Sequence, residues 1–296
     1  MKVLITGAGG YVGKFLVQFL VNQKYEIYAL YNRQLPDYMA SIPEVNWIQS
    51  KLGFNIIDLD PVDVIIHAAT VQPLSKTPPS PIDYLDSNIN ATRKLLDYGV
   101  SCSSQLFIYL STVTIHGHVE VKELDENTPQ IDPNLYGISK FMAERIIETY
   151  ANRIPSVILR LPGIIGPELL ILGRPWLCTI LKKAISNKPI SIFNANSLFN
   201  NVTDIYDLTD LIGLLINEWN SGVEIFNLAG SEPIKIKNVV KNIINQTQSS
   251  SEIIEENNNS NSFYIKIDKI INQLQFRPKT TEAMIRHFVK DNPLKS

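Results

Sequence analysis

A glycine-rich turn near the start of the chain constrains the fold more than any other feature. The segment TGAGGYVG (6–13) follows the apolar run KVLIT (2–6) and leads into a stretch whose apolar residues recur at helical spacing. Glycine permits tight turns and close approach of other backbone, because it has no Cβ. The turn therefore predicts a strand that passes directly into a closely packed helix, which is the first unit of a parallel α/β sheet.

Short β-rich runs alternate with helical patterns through the first half of the chain. Further strands are predicted at YEIYAL (25–30), VNWIQ (45–49), DVIIHA (63–68), QLFIYLS (105–111) and SVILRL (156–161). Helices are predicted over 81–99, where Gly99 is expected to end the helix, and from Tyr136 onward. This alternation predicts a Rossmann-type doubly wound parallel sheet.

The second half of the chain is less regular and predicts a smaller C-terminal α/β region. Helices are expected near 176–187 and 207–219, strands at PISIF (189–193) and VEIFNL (223–228), and a surface loop over the polar segment 247–262. We predict one domain over 1–165 and a second region over 166–296. Some late segments are expected to return to the first sheet.

The composition excludes several classes of protein. The chain has 296 residues and a net charge of -2, so no electrostatic attraction to nucleic acid or to a membrane surface is expected. Two cysteines are too few for a disulfide framework or a cysteine zinc site, and no metal site is predicted. A strand-like segment directly after Met1 leaves no room for a signal peptide, and no apolar run reaches membrane-spanning length. A cytoplasmic protein is expected.

The glycine spacing points to a ligand. Gly7, Gly10 and Gly13 fit the pattern G-x-x-G-x-x-G between a strand and a helix. At that place in such folds, the pyrophosphate of a dinucleotide rests on the helix N-terminus. The alternative is a glycine-rich turn without a ligand, which the position directly after the first strand disfavours. We therefore interpret 1–165 as a dinucleotide-binding domain.

The residues after the second strand bear on which dinucleotide binds. Such folds often carry an acid there that bonds the adenosine ribose hydroxyls, whereas this chain has Asn32 and Arg33. An arginine can pair with a 2′-phosphate, which favours NADP (NADPH), with NAD as the alternative. A solvated arginine at a strand end is the structural alternative.

The segment NLYGISK (134–140) places Tyr136 and Lys140 at i,i+4 spacing on a predicted helix, so both lie on one face. Free tyrosine has a pKa of about 10, and a nearby ammonium makes its ionised form accessible near neutral pH. The pair can therefore act in proton transfer, although this spacing also occurs by chance.

Several motifs together resemble the extended short-chain dehydrogenases/reductases, in particular the nucleotide-sugar epimerase/dehydratase group. The motifs are the glycine turn, HAA (67–69), SNINATRKLL (87–96), LSTVTIHG (110–117), YGISK (136–140), RLPGIIGP (160–167), DIYDLTDLI (204–212), FNLAG (226–230) and LQFRPKT (274–280). Each motif is weak, but their order and spacing are specific, and the resemblance runs nearly the whole length.

The resemblance implies roles for individual residues. Tyr136 would be the acid/base, Lys140 its partner and a ligand of the nicotinamide ribose, and Thr112 the hydroxyl that bonds the reacting sugar oxygen. The implied cofactor-binding residues are Gly7, Gly10, Tyr11, Val12, Gly13, Asn32, Arg33, Leu52, Ala68, Ala69, Thr70, Asn88, Leu110, Tyr136, Lys140, Leu161 and Gly163.

Departures from the family pattern reduce the number of reactions that the chain is expected to catalyse. Lys51 stands at the third-strand end, where an aspartate commonly meets the adenine amino group, and an ammonium cannot accept that bond. Family dehydratases carry Asp-Glu directly after the catalytic threonine, and GDP-fucose-type epimerising reductases need a cysteine at the position of Thr114. Val113 and Thr114 supply neither.

Two enzymatic functions fit these residues. The first is reduction of a 4-keto-6-deoxy sugar nucleotide by NAD(P)H (a 4-ketoreductase), which Arg33 and the missing ribose acid favour. The second is an NAD-dependent nucleotide-sugar C4 epimerase. A more remote alternative is a non-catalytic NADP-binding regulator on the same fold.

The substrate end is expected in 166–296, the predicted nucleotide-sugar-binding region. Candidate substrate ligands are Thr112, Arg174, Asn200 and Asn201, of which the arginine suits a diphosphate. By resemblance, the protein would be a homodimer joined through the helices that include 83–98 and 136–150.

Overall fold

The computed structural model describes all residues except 33–34, 36, 52–58, 74–77, 170–175, 257–260 and 293–296. The chain divides into two compact units. Unit 1 comprises Met1–Gly117, Gln130–Arg160 and Thr209–Phe226, and unit 2 comprises His118–Pro129, Leu161–Leu208 and Asn227–Ser296. The division differs from a single boundary near 165, since 118–129 belongs to unit 2 and 209–226 to unit 1.

Unit 1 is built on a sheet that has seven strands within the described residues. The strand order is β12-β7-β5-β4-β1-β2-β3, and the five strands from β5 to β3 pair in parallel. The strands are β1 (Lys2–Thr6), β2 (Glu26–Tyr31), β3 (Val45–Gln49), β4 (Val64–His67), β5 (Leu106–Thr112), β7 (Ser156–Leu161) and β12 (Val223–Asn227). The predicted Rossmann-type sheet is confirmed, and β12 is a late segment that joins it.

Helices connect these strands. They are α1 (Tyr11–Asn22), α2 (Asp37–Ala40), α3 (Pro81–Tyr84), α4 (Ala91–Ser101) and α5 (Leu135–Glu148). Between α3 and α4 the backbone forms a π-helical segment, Leu85–Asn90, of the kind that often marks a functional site. The apolar helix faces and the fully buried strand β5 form the core.

The predicted end of a helix at Gly99 is wrong, because α4 continues to Ser101. Gly99 is required by packing and not by a helix end. A Cβ at this position would lie 2.9 Å from Cδ1 of Ile154 and 3.0 Å from Cδ1 of Ile65. The glycine therefore allows the helix to lie close against the core.

Unit 2 contains short strands in pairs. In chain order its strands are β6 (Glu123–Leu124), β8 (Gly163–Ile165), β9 (Ile190–Phe193), β10 (Leu198–Phe199), β11 (Val202–Asp204), β13 (Ile234–Lys235), β14 (Ile253–Glu256) and β15 (Tyr264–Ile265). Its helices are α6 (Trp176–Ile185), α8 (Ile236–Gln246), α9 (Asp268–Leu274) and α10 (Thr281–Asp291), while α7 (Ile205–Glu218) begins in unit 2 and continues in unit 1.

Candidate active site

The glycine-rich turn packs too closely for side chains. Gly7 has a φ of +72°, and a Cβ there would lie 2.8 Å from the backbone nitrogen of Ala69, directly after β4. A Cβ on Gly13 would lie 2.2 Å from the carbonyl oxygen of Gly7. Gly10 is the N-cap of α1 and provides no side-chain cap. The positive end of this helix dipole therefore lies at the turn, where it suits a phosphate.

Asn88, in the π-helical segment, joins the loop after β4 to helix α5. Its Oδ1 accepts hydrogen bonds from the backbone nitrogen of Val71 at 2.8 Å and from the hydroxyl of Thr70 at 3.1 Å. Its Nδ2 donates to the hydroxyl of Ser139 at 2.9 Å, and that hydroxyl donates to the carbonyl of Tyr136 at 2.8 Å. Asn88 thus positions the helix turn that carries Tyr136.

His67 holds two elements together and has no free ring nitrogen. Its Nδ1 lies 2.7 Å from the hydroxyl of Thr6, which accepts a bond from the backbone nitrogen of Ala69. Its Nε2 lies 3.1 Å from the hydroxyl of Thr92, which donates to the carbonyl of Asn88. Burial, aided by the charge of Lys140, lowers the pKa of His67 well below its ordinary value. The ring is therefore neutral near pH 7 and serves to link strands β1 and β4 to α4.

Tyr136 and Lys140 lie on α5, whose N-cap Asn134 accepts a hydrogen bond from the backbone nitrogen of Gly137 at 2.9 Å. The Lys140 side chain is buried, donates to the carbonyl of Leu110 at 2.6 Å, and places its ammonium 4.0 Å from the centre of the Tyr109 ring. The contacts with Leu110 and Tyr109 therefore hold the Lys140 ammonium against strand β5.

The Tyr136 hydroxyl lies among polar side chains. Thr70, Gln72 and Thr112 are its polar neighbours, and each of them lowers its pKa. The first and third of these are predicted site residues, so the structure brings Thr70, Thr112 and Tyr136 together. Gln72 was not anticipated, because it lies in a loop that carries no recognisable motif.

The two ionisable groups have shifted pKa values. Desolvation raises the pKa of Tyr136 to about 12, while the hydrogen bonds of Thr70, Gln72 and Thr112 oppose this rise. Desolvation also lowers the pKa of Lys140 to about 7, and the carboxylate of Glu144 opposes this fall. At neutral pH the tyrosine therefore carries its proton, and the lysine titrates within the physiological range.

Thr112, the last residue of β5, is buried and has an ordered hydroxyl. It accepts from the backbone nitrogen of Thr114 at 3.1 Å and donates to the hydroxyl of Thr114 at 3.0 Å. Neither Val113 nor Thr114 can act as a general base near neutral pH. Tyr136 is thus the candidate proton donor near this strand end, and no carboxylate follows Thr112 directly in the sequence.

Several predicted cofactor and substrate residues lie away from this arrangement or outside the described residues. Asn32 is exposed at the end of β2, and its carbonyl accepts from Nε2 of Gln49 at 3.5 Å. Arg33, Leu52 and Arg174 lie outside the described residues. Their roles remain predictions.

The remaining predicted residues belong to unit 2. Leu161 ends β7, and Gly163 begins β8, where it pairs with Val202. Asn200 is buried, and its side-chain amide makes three hydrogen bonds to the backbone. Its Nδ2 donates to the carbonyls of Gly230 and Ile265 at 2.9 and 2.8 Å, and its Oδ1 accepts from the backbone nitrogen of Ile265 at 2.8 Å. These three hydrogen bonds indicate that the Asn200 side chain stabilises the surrounding loop.

Asn201 differs from its neighbour. Its Oδ1 has no hydrogen-bond partner among the residues that the structure describes. A buried carbonyl oxygen without a partner is unfavourable and is suited to a ligand donor. Of the adjacent pair, Asn201 is therefore the better candidate for a substrate contact.

The described part of the chain lacks two further classes of feature. No helix there is long and apolar enough to cross a membrane. No group of three or more His, Cys, Asp or Glu side chains there can hold a metal ion.

Comparison with known proteins places the fold and the family. An uncharacterized UDP-glucose epimerase, YtcB, of Bacillus subtilis is 27% identical over 258 residues, which is 81% of this chain and 80% of the relative. The enzyme WbmG of Bordetella bronchiseptica, solved with NAD, superposes with a TM-score of 0.83 at 17% identity, covering 100% of this chain and 98% of WbmG. UDP-glucose 4-epimerase of Thermotoga maritima, solved with UDP-glucose, gives a TM-score of 0.82 at 18% identity, covering 98% of each chain.

A family model decides the assignment. The model of the NAD dependent epimerase/dehydratase family matches residues 3–229, which is more than half of the chain and includes both the glycine turn and the Tyr136 helix. These enzymes act on nucleotide sugars, and the matched range contains the predicted site residues Thr112, Tyr136 and Lys140. The chain belongs to the NAD dependent epimerase/dehydratase family.

Proposed function

We propose that the protein is an NAD(P)H-dependent 4-ketoreductase that acts on a nucleotide-linked 4-keto-6-deoxy sugar. The observation that carries this proposal is the position of the Tyr136 hydroxyl near Thr112, at the end of β5. Burial raises its pKa to about 12, so the hydroxyl is ready to donate a proton to an alkoxide at neutral pH. The missing acid–base pair at Val113 and Thr114 argues against water elimination.

The dinucleotide, when bound, supplies a hydride to the ketone carbon. As the carbonyl oxygen gains negative charge, Tyr136 donates its proton to that oxygen, and Thr112 donates a hydrogen bond to it. The ketone thus takes up one hydride and one proton and becomes a secondary alcohol. The Lys140 ammonium stabilises the tyrosinate that remains until a proton returns from solvent.

The turn around Gly7 and Gly13 fits a dinucleotide. Its close packing leaves backbone and no side chain facing the N-terminus of α1, where the pyrophosphate oxygens would accept from the first turn, Tyr11 to Gly13. Ala68, Ala69 and Thr70 follow the adjacent strand β4 and would line the nicotinamide half with Leu110 and Lys140. NADP is the favoured cofactor, because Asn32 presents no charge that repels a 2′-phosphate.

A C4 epimerase is the second candidate, and the comparisons favour it. The Bacillus subtilis relative and the Thermotoga maritima enzyme carry the name of UDP-glucose epimerases, and WbmG was solved with NAD. In an epimerase, Tyr136 would first accept and then return the proton, while NAD stays bound. The same three residues serve both reactions.

For the substrate end, we propose that Asn201 contacts the nucleotide sugar and that Asn200 supports the loop.

We also propose a homodimer. Apolar side chains are exposed along α3, α5 and the π-helical segment, namely Ile82, Leu85, Ile138 and Met142. Such a patch is typical of a protein interface.

The deciding experiment is to denature the purified protein and identify the released dinucleotide. We expect no stoichiometric NAD, and we expect NADPH oxidation in the presence of a 4-keto-6-deoxy sugar nucleotide. Stoichiometric bound NAD, together with interconversion of UDP-glucose and UDP-galactose, would establish the epimerase instead.

Tyr136→Phe tests the shared chemistry. Removing the hydroxyl deletes the proton donor, so kcat should fall by about 10²–10⁴-fold while NADPH binding is retained. The dissociation constant, measured by fluorescence titration, is the control. Activity equal to that of the wild type would contradict both enzymatic functions.

A further inference from the structure

A buried polar cluster in unit 1 lies behind the candidate active site and makes no contact that the reaction requires. It consists of Ser111 on β5, Glu144 on α5 and Arg160 on β7, and none is more than 5% exposed. Buried charges are unfavourable unless they are paired, and even then hydrophobic residues often stabilise a core as well. The cluster is therefore expected to have a role besides stability.

The three side chains bond one another closely. The hydroxyl of Ser111 donates to Oε1 of Glu144 at 2.5 Å. Nε of Arg160 donates to Oε1 and Oε2 of Glu144 at 3.2 and 3.3 Å, and Nη2 donates to Oε2 at 2.8 Å. The Glu144 carboxylate therefore accepts hydrogen bonds both from the Ser111 hydroxyl and from the planar guanidinium of Arg160.

The place of Ser111 in the chain gives this cluster its significance. Its predecessor, Leu110, provides the carbonyl that accepts the Lys140 ammonium at 2.6 Å, and its successor is Thr112. Glu144 follows Lys140 by one helical turn on the same face of α5. The hydrogen bond from Ser111 to Glu144 therefore joins α5 to β5 close to both Lys140 and Thr112.

We propose that Ser111, Glu144 and Arg160 are positioning residues, which hold the Lys140 ammonium and the Thr112 hydroxyl in register with Tyr136. This inference rests on the proposed function for its catalytic consequence. The cluster itself is a property of the fold and can be tested without a substrate.

The charge of Glu144 gives the cluster a second effect, which is on the pKa of Lys140. Near Lys140 lie the neutral His67 on β4, the Tyr109 ring on β5, Tyr136 on its own helix and the carboxylate of Glu144. Of these groups, the Glu144 carboxylate is the one that opposes the desolvation that lowers the pKa of Lys140 to about 7. Its loss should release the lysine proton at lower pH.

The substrate-free test is an NMR titration of protein labelled with ¹³C-lysine. The Cε resonance of Lys140 is assigned by its absence in Lys140→Met. We expect a midpoint near 7 in the wild type and one about one pH unit lower in Glu144→Gln. Glu148→Gln is the matched control, because Glu148 lies one turn further along α5 and pairs with Arg145. An unchanged midpoint in Glu144→Gln would overturn the proposal.

Ser111→Ala tests the tether alone and covers the case in which Glu144→Gln does not fold. It removes the bond to Glu144 and keeps every charge, so the midpoint of Lys140 should stay in place. The kcat for reduction should fall by about tenfold with KM within twofold, since a small misplacement of reacting groups slows the chemical step. Wild-type kcat in Ser111→Ala would overturn the proposal.

The two arms separate this inference from the proposed function. If the wild type turns over no 4-keto sugar nucleotide, the proposed function fails, and the titration alone decides the role of Glu144. If the wild type is active but Glu144→Gln keeps the wild-type midpoint or Ser111→Ala keeps the wild-type kcat, the proposed function stands and the positioning role fails.

Discussion

Lys140 is a residue whose burial opposes folding. Its folded pKa of about 7 lies below the ordinary value of 10.5, so the unfolded chain binds more protons between these values. Stability contributed by this site therefore rises with pH across that window and is lost as the pH falls through 7. Lys140→Met should raise the free energy of unfolding by about 1–3 kcal/mol at pH 6 and by less at pH 9, while activity is lost.

Urea denaturation at the two pH values measures this difference. Lys182→Met, at an exposed position on α6, is the control and should alter stability little at either pH. An equal gain at pH 6 and pH 9 in Lys140→Met would mean that packing, and not the buried charge, explains the effect.

Asn32 is the described residue that bears on cofactor choice. In Asn32→Asp, a carboxylate would accept from the ribose hydroxyls and repel a 2′-phosphate. The ratio of kcat/KM for NADPH to that for NADH should fall by about tenfold. Asn46→Asp introduces the same charge at an exposed position on the neighbouring strand β3 and should leave the ratio unchanged. A constant ratio in Asn32→Asp would show that the end of β2 does not face the adenosine.

The sequence predicts which residues lie close together only where they are also close in the chain. The glycines lie within one turn and Tyr136 and Lys140 within one helical turn, so their proximity follows from backbone geometry. Ser111, Glu144 and Arg160 are far apart in the chain and meet only when two strands and a helix assemble. The opposite behaviour of the neighbours Asn200 and Asn201 also depends on loops brought together by folding.

At the scale of elements, the first turn can be tested with a matched pair of glycines. A Cβ on Gly13 would lie 2.2 Å from the carbonyl oxygen of Gly7, and backbone atoms cannot move cheaply. A Cβ on Gly9 would lie 3.4 Å from Cβ of Tyr31, an ordinary contact. Gly13→Ala should therefore cost about 1–3 kcal/mol of stability and weaken NADPH binding by at least about tenfold.

Gly9→Ala is expected to fold and to bind NADPH like the wild type. Denaturant unfolding and fluorescence titration of both variants provide the comparison. Normal binding by Gly13→Ala would argue that the turn can open and that the pyrophosphate does not rest on α1.

Element bounds followed from the sequence where one physical signal dominated. Strands β1, β3 and β7 have the predicted bounds, since continuous or alternating apolar runs end at polar or turn residues. The predicted surface loop over 247–262 is wrong at Ile253–Glu256, which pairs with β9 as β14. That strand depends on its partner, and the acidic residues beside its two isoleucines hide the pattern. The π-helical segment likewise has no signal in hydrophobic spacing.

At the scale of the whole molecule, the exposed apolar patch predicts an assembly. Ile138 and Met142 are 48% and 51% exposed on α5, and Ile82 is 56% exposed on α3. Burying such side chains in a partner stabilises a dimer by about 1.5–3 kcal/mol for each side chain that becomes fully buried. Two glutamates in place of Ile138 and Met142 would bring like charges into that interface without touching the core.

The double variant Ile138→Glu/Met142→Glu should therefore be a monomer at concentrations where the wild type is a dimer. Sedimentation equilibrium over a range of concentrations measures the mass of each. Ile254→Glu changes a similarly exposed side chain, 41% accessible, on β14 and should leave the dimer intact. A dimer that survives in the double variant, or a wild type that is monomeric throughout, would show that this face has another role. Because α5 also carries Tyr136 and Lys140, the activity of the monomer would then show whether the active site depends on the partner.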